Sequence, residues 1–355
     1  MRFLVIRFRQ MGDTVVSTPL LDTLRLNFPD ARIDIVLNER IAPLLRNHPS
    51  VDNIITFTNA ERHNPLKYLP KVWSTVRRHP RYDAIIDMRS TANTLLFSMF
   101  SLRTKIRSGI RKSYTWTVLN STIEPCGKDE PKTEYNLRLL KPLERLKTLT
   151  YCRSTSLYVT DGERASFRSY MQDCGIDFSR PVMLAEPTAK LEAKKWKKEY
   201  MIAVLRNIIT EFPTMQIVLN YAPGREKDDA VEIAQTLSCP SSIFVNVEAK
   251  GIRALMSMTS NTDMYFGNEG GTRHIADALG KPTFSVCSPK ASKKQWIPIG
   301  DNRHMAVAPS DLATAEQLAA MTYEQKYDLI TPADVWRRLK PFIHTILSTP
   351  RIQQP

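Results

Sequence analysis

Cysteine and long apolar runs are scarce in this sequence of 355 residues. Its five cysteines are widely separated and form no CxxC pair, which argues against a disulfide framework and a zinc site, and for a reducing compartment. No stretch approaches the roughly 20 apolar residues of a membrane span. The apolar run before Arg7 is too short for a signal peptide. We therefore expect a cytoplasmic protein, and leave open a peripheral contact with the inner face of a membrane.

Acidic residues are outnumbered by basic ones, at 36 Asp and Glu against 50 Lys and Arg, which gives a net charge of +14. Such an excess suggests a polyanionic partner, and nucleic acid, nucleotide phosphates, acidic glycolipid and an anionic membrane are all candidates. A basic protein without such a partner is the plain alternative. No nucleic-acid-binding motif stands out and aromatic residues do not interleave with the cation clusters, so we expect no nucleic-acid partner.

Strands and helices alternate along most of the sequence, a pattern typical of parallel βαβ units. Predicted strands in the first half are Phe3–Ile6, Ile33–Leu37, Ile54–Phe57, Tyr82–Met88 and a short one at Leu157–Val159; those in the second half are Pro181–Glu186, Gln216–Asn220 and Ile243–Val247. The length suits two domains. We predict two doubly wound α/β domains at 1–170 and 171–330, and a C-terminal helix within 331–355 that packs back across their junction.

Glycine is also infrequent, with 12 in the chain, yet four of them fall in one strand-turn-helix-strand stretch, Met264–Pro289. Gly267 and the pair Gly270–Gly271 lie between an apolar strand and a helix that opens at Thr272. Backbone N–H groups at such a turn point outward at a positive helix end, which suits a phosphate. An ordinary βαβ crossover explains the same residues, since the GxGxxG fingerprint is absent.

A carboxylate and several cations are predicted at the carboxyl ends of the first-half strands, where ligands bind in such sheets. Asp13, just after the first strand, is a candidate general base, ribose or metal ligand, or helix N-cap. The cations that would make this side of a cleft positive, and bind an acidic acceptor, are Arg7, Arg9, Arg89, Arg107 and Arg111, with Arg103, Lys105 and Lys112 beside the last two. A solvated face explains any one of these cations.

In the second half, a hydroxyl and lysines follow the strand Pro181–Glu186. Thr188, Lys194 and Lys195 suit an anionic diphosphate, because lysines are unfavourable near a positive helix end unless an anion binds there. A solvated, lysine-rich helix start is the alternative. Glu226, after the strand Gln216–Asn220, is placed to accept hydrogen bonds from ribose hydroxyls.

Four blocks of residues resemble glycosyltransferase family 9, the lipopolysaccharide heptosyltransferases, in the family's order and spacing. They are Phe3–Arg7 leading to Met11-Gly12-Asp13 and Thr18–Leu21, then Tyr82–Arg89, then Lys194-Lys195-Trp196, and finally the glycine turn with His274 and the A-L-G-x-P helix end.

The resemblance implies a GT-B fold, in which an acceptor-binding first domain and a nucleotide-sugar-binding second domain face a central cleft. It also implies an inverting transfer without a metal or other cofactor, and Asp13 matches the family's general base. Lys194, Thr188 and the Gly270–Gly271 turn with His274 would hold the donor diphosphate. Gly12 lies in the acceptor block. ADP-heptose is the family's best-known donor, and the acceptor would be a lipopolysaccharide core or related anionic glycan.

The sequence departs from the family pattern at the donor turn. Glu269-Gly270-Gly271 stands where the family commonly has Asp-Thr-Gly, and Lys197 replaces a proline after the tryptophan. These changes leave the donor sugar and its base open, as well as which of Lys194 and Lys195 holds the diphosphate. The oligomeric state is also open. A GT-B epimerase or phosphorylase acting on nucleotide sugars is the alternative enzyme.

Overall fold

The computed structural model describes residues 1–77, 81–297 and 302–349, and the chain divides into two compact units, Met1–Tyr158 and Val159–Pro355. The division lies earlier than the predicted boundary at residue 170. The cause is the helix Asp161–Asp173, which packs in the second unit, where Arg253 Nε donates to Glu163 Oε1 at 2.8 Å. The structure also has no strand at Leu157–Val159, so that prediction was wrong.

The first unit is built on a parallel six-stranded sheet with the order β3-β2-β1-β4-β5-β6. Its strands are β1 (Arg2–Arg7), β2 (Arg32–Asn38), β3 (Asn53–Phe57), β4 (Ala84–Asp87), β5 (Ile106–Ile110) and β6 (Ser121–Ile123). β1 and β4 are adjacent and almost fully buried, as expected of apolar strands covered by helices on both faces.

The second unit repeats this arrangement, with the order β12-β11-β10-β7-β8-β9. Its strands are β7 (Val182–Glu186), β8 (Gln216–Leu219), β9 (Ile243–Phe244), β10 (Met264–Asn268), β11 (Thr283–Val286) and β12 (His304–Val307). β10 lies close against β7: a Cβ added at Gly267 would come within 2.5 Å of the Glu186 carbonyl oxygen. Glycine is therefore required there for the two strands to pair.

Helices connect most of the successive parallel strands, which makes both units doubly wound, while the last three of the described helices follow the last strand. In the first unit they are α1 (Met11–Val15), α2 (Thr18–Asn27), α3 (Asn59–His63), α4 (Pro65–Arg77), α5 (Ala92–Met99) and α6 (Lys132–Leu137). In the second unit they are α7 (Asp161–Asp173), α8 (Lys198–Glu211), α9 (Arg225–Leu237), α10 (Ile252–Ser260), α11 (Gly271–Ala278), α12 (Lys293–Trp296), α13 (Ala315–Ala319), α14 (Tyr323–Asp328) and α15 (Pro332–Ser348). The chain also forms short 3₁₀ helices at Glu39–Leu45, Thr115–Thr117, Arg138–Arg145, Glu192–Lys194 and Pro309–Asp311.

The last helix, α15, belongs to the core of the second unit. Val335, Leu339, Phe342 and Ile343 are buried in the same apolar cluster as α8 and the sheet. That the helix crosses the domain junction stays a prediction, and the last six residues of the predicted segment 331–355 lie outside the described residues. Among the described ranges, no helix combines the length and apolar character needed to cross a bilayer.

In each unit the strand order reverses at one point, between β1 and β4 and between β7 and β10. Ligands of open parallel sheets bind beyond the carboxyl ends of the strands at such a switch point. The segments that follow these four strands are therefore where functional side chains are expected.

Candidate active site

Asp13 follows β1 on the short helix α1, and a buried arginine holds it. Arg7, the last residue of β1, donates from Nη2 to the Asp13 carbonyl oxygen at 2.8 Å and to the carboxylate Oδ1 at 3.2 Å. Its Nε donates to the same carbonyl at 3.1 Å. The Asp13 side chain stays 25% exposed, whereas that of Arg7 is 6% exposed. The carboxylate is thus fixed in direction and still accessible.

Arg7 is a support for Asp13, which argues against the acceptor-binding role predicted for it. Besides Asp13, its guanidinium contacts the Met88 carbonyl oxygen, at 3.4 Å from Nη1. Burial lowers the pKa of Arg7 to about 10, although the neighbouring Asp13 acts in the opposite direction. The side chain therefore still carries its charge at neutral pH.

Arg107 is also occupied by the fold. Its Nε donates to the Val118 carbonyl at 2.8 Å, and its Nη1 donates to the carbonyls of Leu102 and Thr104 at 2.7 and 2.6 Å. These bonds tie β5 to the loops on either side of it. The sequence predicted an acceptor ligand here, and the geometry argues against it because the guanidinium is committed to three backbone oxygens.

The other predicted acceptor residues differ in their surroundings. Arg89 donates from Nη1 to the Phe8 carbonyl at 2.8 Å, and burial together with Arg9 and Arg62 lowers its pKa. Arg9 is exposed and Gly12 is half-buried in α1. Arg111 is exposed, and its Nη1 lies 2.7 Å from Glu124 Oε1. Arg89 is thus an electrostatic neighbour of Asp13, and Arg9 is an electrostatic neighbour of Arg7 and Arg89. Arg111 is instead in a surface ion pair.

The turn after β4 has its own buried support. Asp87 is fully buried, and its Oδ1 accepts from the backbone N–H groups of Arg89 and Ser90 at 2.9 and 2.8 Å. Burial raises the pKa of Asp87. Ser90 has a φ of 48°, which is uncommon for a residue other than glycine. The carboxylate therefore holds a strained turn that places Arg89.

A cavity of about 300 Å³ lies beside this turn. It is lined by Phe8, Arg62, Tyr68, Arg89 and the start of α5 at Thr91–Thr94. Arg62 stacks 4.8 Å above the Phe8 ring and donates to Asn38 Oδ1 at 2.6 Å. The sequence prediction missed Arg62, which comes from α3, because nothing in the local pattern relates that helix to β1 and β4.

In the second unit, Lys194 reaches the glycine turn. Its Nζ lies 3.0 Å from Glu269 Oε1 and 3.1 Å from Oε2, and Ser288 Oγ donates to Oε1 at 2.9 Å. The lysine side chain is 41% exposed. Three segments, after β7, β10 and β11, therefore meet at the Glu269 carboxylate, and the sequence predicted the first two of them at the donor site.

Lys195 is directed elsewhere. Its Nζ lies 3.1 Å from Asp229 on α9 and 3.0 Å from Glu192, and its side chain is 12% exposed. The two adjacent lysines thus have different partners, and Lys194 is the one beside the glycine turn. This separation bears on the choice that the sequence left open.

Two tyrosines of α14 hold the backbone that carries Lys194. Tyr327 Oη donates to the Lys194 carbonyl at 2.9 Å, and Tyr323 Oη donates to the Ala193 carbonyl. Two residues after Lys194, Trp196 is buried. Its backbone N–H donates to Asn268 Oδ1 at 2.9 Å, and its indole Nε1–H donates to the Ile330 carbonyl at 3.0 Å. The sequence prediction missed these tyrosines, which lie about 130 residues from the lysine.

Thr188 and Glu226, both predicted donor ligands, are brought together. Thr188 is buried and its Oγ1 donates to Glu226 Oε2 at 3.2 Å. Beside them lies a carboxyl that the prediction missed, Glu186, whose Oε2 accepts from Asn220 Nδ2 at 2.6 Å. Burial raises the pKa of Glu186 to about 7, although hydrogen bonds from Asn220 and Thr272 act against this. A carboxyl with such a pKa is typical of functional sites as well as of buried networks.

The glycine turn opens the eight-residue helix α11 as predicted. Apart from its chain neighbours, no described residue has an atom within 4 Å of where a Gly270 Cβ would be, so a ligand can approach the backbone there. His274 is buried, and burial and the neighbouring Arg273 lower its pKa well below the usual value. Arg273 Nη2 lies 2.7 Å from His274 Nδ1. Because arginine can only donate, the proton of the neutral imidazole is on Nε2.

Within the part of the chain that the structure describes, no three His, Cys, Asp or Glu side chains cluster in a way that suits a metal ion. The groups gathered after β7 and β10 are a lysine, hydroxyls, carboxyls and a helix N-terminus. Together they are suited to the phosphates and hydroxyls of a nucleotide.

Comparison with known proteins gives a consistent result. Residues 71–327 match the model of the glycosyltransferase family 9 (heptosyltransferase). Lipopolysaccharide heptosyltransferase 3 of Escherichia coli K12 is 24% identical over 301 residues, covering 78% of this chain and 80% of that protein.

Solved structures agree in fold. The chain is similar to E. coli ADP-heptose lps heptosyltransferase II, with a TM-score of 0.76 and 21% identity over 97% of this chain and 99% of that one. It is less similar to UDP-GlcNAc 2-epimerase from Methanocaldococcus jannaschii, with a TM-score of 0.51 and 13% identity over 97% of this chain and 100% of that one. The fold is GT-B, as the sequence predicted.

Proposed function

Since this chain belongs to glycosyltransferase family 9, we propose that it is an inverting transferase that moves a heptose-like sugar from an ADP-linked donor. The acceptor would be a lipopolysaccharide core or a related anionic glycan. The observation that carries the proposal is a matched pair of sites. An accessible carboxylate, Asp13, follows the first strand of one unit. Lys194, a half-exposed lysine that can exchange its carboxylate partner for a phosphate, follows the first strand of the other.

The first unit would supply general base catalysis. As the acceptor oxygen bonds to the anomeric carbon, its proton passes to the Asp13 carboxylate. The bond from that carbon to the diphosphate oxygen breaks, and the nucleoside diphosphate leaves. One displacement from the opposite side inverts the anomeric configuration. Arg7 fixes the orientation of the carboxylate through its hydrogen bonds to Asp13 Oδ1 and the Asp13 carbonyl oxygen.

The second unit would stabilise the leaving diphosphate. Lys194 is paired with Glu269 across 3.0 Å, and a diphosphate at the open Gly270–Gly271 backbone would replace that carboxylate as its partner. The α11 N-terminus adds a partial positive charge. Glu226, held by Thr188, is suited to accept hydrogen bonds from ribose hydroxyls. In this scheme the positive charge comes from the chain, and no metal or other cofactor is required.

Two features of the proposal rest on similarity. The E. coli relative with the same fold is named an ADP-heptose enzyme, which supports ADP as the nucleotide. The relatives named for lipopolysaccharide support the acceptor class. We further propose a cytoplasmic location with peripheral contact at the membrane that carries such an acceptor.

An epimerase is the second candidate, favoured only by the similarity to the 2-epimerase fold. An epimerase needs no acceptor, whereas a transferase releases nucleoside diphosphate only when an acceptor hydroxyl is present. Incubation of a nucleotide sugar with the protein, with and without a heptose-deficient core oligosaccharide, separates the two activities.

The experiment that tests the proposed function begins with thermal unfolding in the presence of ADP, UDP, GDP or CMP. ADP at a hundred times its Kd should stabilise the protein by about 2.7 kcal/mol, with little effect of the others. Transfer from ADP-heptose to the core oligosaccharide is then followed by mass spectrometry, and the anomeric configuration by NMR. Retained configuration, or turnover that chelators abolish and a divalent metal restores, would contradict the mechanism.

A further inference from the structure

We propose that the exposed face of helix α4, with the end of helix α5, is a surface that docks on anionic lipid headgroups. On α4, three large apolar side chains are exposed at helical spacing: Leu66 at 86%, Leu69 at 40% and Trp73 at 47%. Spacings of three and four residues place them on one side of the helix. All three side chains therefore present apolar surface to solvent.

The opposite side of α4 holds the helix in place. Tyr68, Val72 and Val76 are buried in the apolar cluster of the first unit, with Phe57 and Phe97. The helix is therefore part of the core on one side, and the outward row cannot be buried by a rotation of the helix. A row of exposed apolar side chains on a helix that cannot rotate is typical of an interaction surface.

The end of α5 extends the same surface. Met99 is 43% exposed and Leu102 is 58% exposed. The rings of Trp73 and Phe100 meet at 5.4 Å, which joins the two helices, and the guanidinium of Arg77 lies 4.2 Å above the Trp73 ring. Between the helices is a groove of about 260 Å³.

Positive charges predominate around this surface, although Glu61 of α3 pairs with Lys71 of α4 at 2.6 Å. From Pro65 to Lys105 the sequence has eight Lys or Arg, two Asp and no Glu. The exposed cations are Lys67, Arg77, Arg81, Arg103 and Lys105. Neither aspartate opposes them at the surface, because Asp83 accepts the backbone N–H of Arg2 at 2.9 Å and Asp87 is fully buried.

This combination favours a lipid surface over a protein partner. An interface between two proteins usually matches charges of both signs, whereas a rim of cations around leucine and tryptophan complements a uniformly negative layer with an apolar interior. Tryptophan is enriched at the boundary between headgroups and acyl chains. The inference deepens the membrane contact in the proposed function and rests on it for the kind of surface.

The test is flotation of the full chain with vesicles of phosphatidylcholine alone or mixed with phosphatidylglycerol. We expect binding to the mixed vesicles only, weakened by salt. The triple charge reversal Lys67→Glu, Arg77→Glu and Arg81→Glu should lower the partition coefficient about tenfold or more. The double variant Leu66→Gln and Leu69→Gln, which leaves the core side of α4 intact, should also lower it.

Matched controls come from the same unit. Leu26 and Leu146 are each 54% exposed outside this surface, and their changes to Gln should leave vesicle binding unchanged. Unbound wild-type protein, or surface variants that bind like wild type, would overturn the inference. So would an acidic protein that occupies the surface while vesicles do not.

Transfer to a soluble, deacylated core oligosaccharide separates this inference from the proposed function. All surface variants should transfer to that acceptor at the wild-type rate. Transfer without vesicle binding would overturn the docking surface and keep the transferase, and vesicle binding without transfer would do the reverse.

Discussion

The cations of the two units are used in different ways. In the first unit, Arg7 and Arg107 are bonded mainly to backbone carbonyl oxygens. In the second, Lys194 and Lys195 are paired with carboxylates. A guanidinium fixed on carbonyls is a permanent part of the fold, because its removal leaves buried acceptors without a donor. A half-exposed lysine beside a carboxylate can exchange that partner for a phosphate at little cost.

Positive charge alone therefore does not identify a ligand site. All four side chains are cationic. Arg7 and Arg107 lie in strands and are committed to the backbone, whereas Lys194 and Lys195 follow a strand and are not. Which of them can bind substrate depends on the free energy that is lost when its present hydrogen bonds or ion pairs are broken. The predictions below test that distinction.

The largest effect is expected from Asp13→Asn. This change removes the proton acceptor and keeps the shape of the side chain, so the transfer rate should fall by about 10²- to 10⁴-fold. Donor binding should be unchanged, because the donor groups are in the second unit. Steady-state transfer and calorimetric titration with the nucleotide sugar measure the two quantities. Near-normal turnover in this variant would remove Asp13 from the role of base.

Arg7→Lys should reduce kcat by up to about a hundredfold, because lysine keeps the charge and loses the fork that fixes Asp13. The donor Kd should not change. Arg107→Lys is the matched control, since it also loses bonds to carbonyl oxygens but lies on β5, away from Asp13. It should lower thermal stability and leave kcat intact.

The control also decides the role of Arg107. If Arg107→Lys raised the acceptor KM strongly while the protein stayed as stable as wild type, Arg107 would be an acceptor ligand after all. If Arg7→Lys changed stability alone, the support of Asp13 would be unimportant for catalysis.

Lys194→Ala should weaken donor binding by about ten- to a hundredfold, the range for a hydrogen bond to a charged group. Lys195→Ala should have little effect on donor affinity, because that lysine faces Asp229 and Glu192. Titration of both variants with ADP measures the difference. Equal losses would mean that the ion pairs seen here do not distinguish the two lysines.

The sequence predicts much of the fold because buried parallel strands are continuous apolar runs, as in β1, β7 and β10. The prediction fails where a strand contains polar residues. β5, at Ile106–Ile110, contains Arg107 and Ser108 and is absent from the predicted strands, because its segment was treated only as a cluster of cations. Conversely, the apolar residues Leu157–Val159 form no strand in the structure.

The candidate site is predictable to a similar extent. Motifs predict Asp13, Lys194 and the glycine turn, because each lies in the segment that runs from a strand to the first turn of the next helix. The support groups are not predictable, since Arg62, Glu186 and Tyr327 meet the site only through tertiary contacts. Adjacent lysines cannot be told apart either, because their directions depend on the path of the short 3₁₀ turn Glu192–Lys194.

The smallest effect is expected from Tyr327→Phe, which removes the hydroxyl that donates to the Lys194 carbonyl and keeps the ring in the core. If this bond positions the lysine, donor affinity should fall about two- to tenfold, the range for one neutral hydrogen bond, while kcat at saturating donor is retained. Tyr82→Phe is the control, because it removes a buried hydroxyl bonded to Asp34 at 2.6 Å in the first unit. That variant should lose stability without a change in donor affinity. The same loss of affinity in both variants would show that a general loss of stability, rather than the position of Lys194, is responsible, and would remove Tyr327 as a positioning residue.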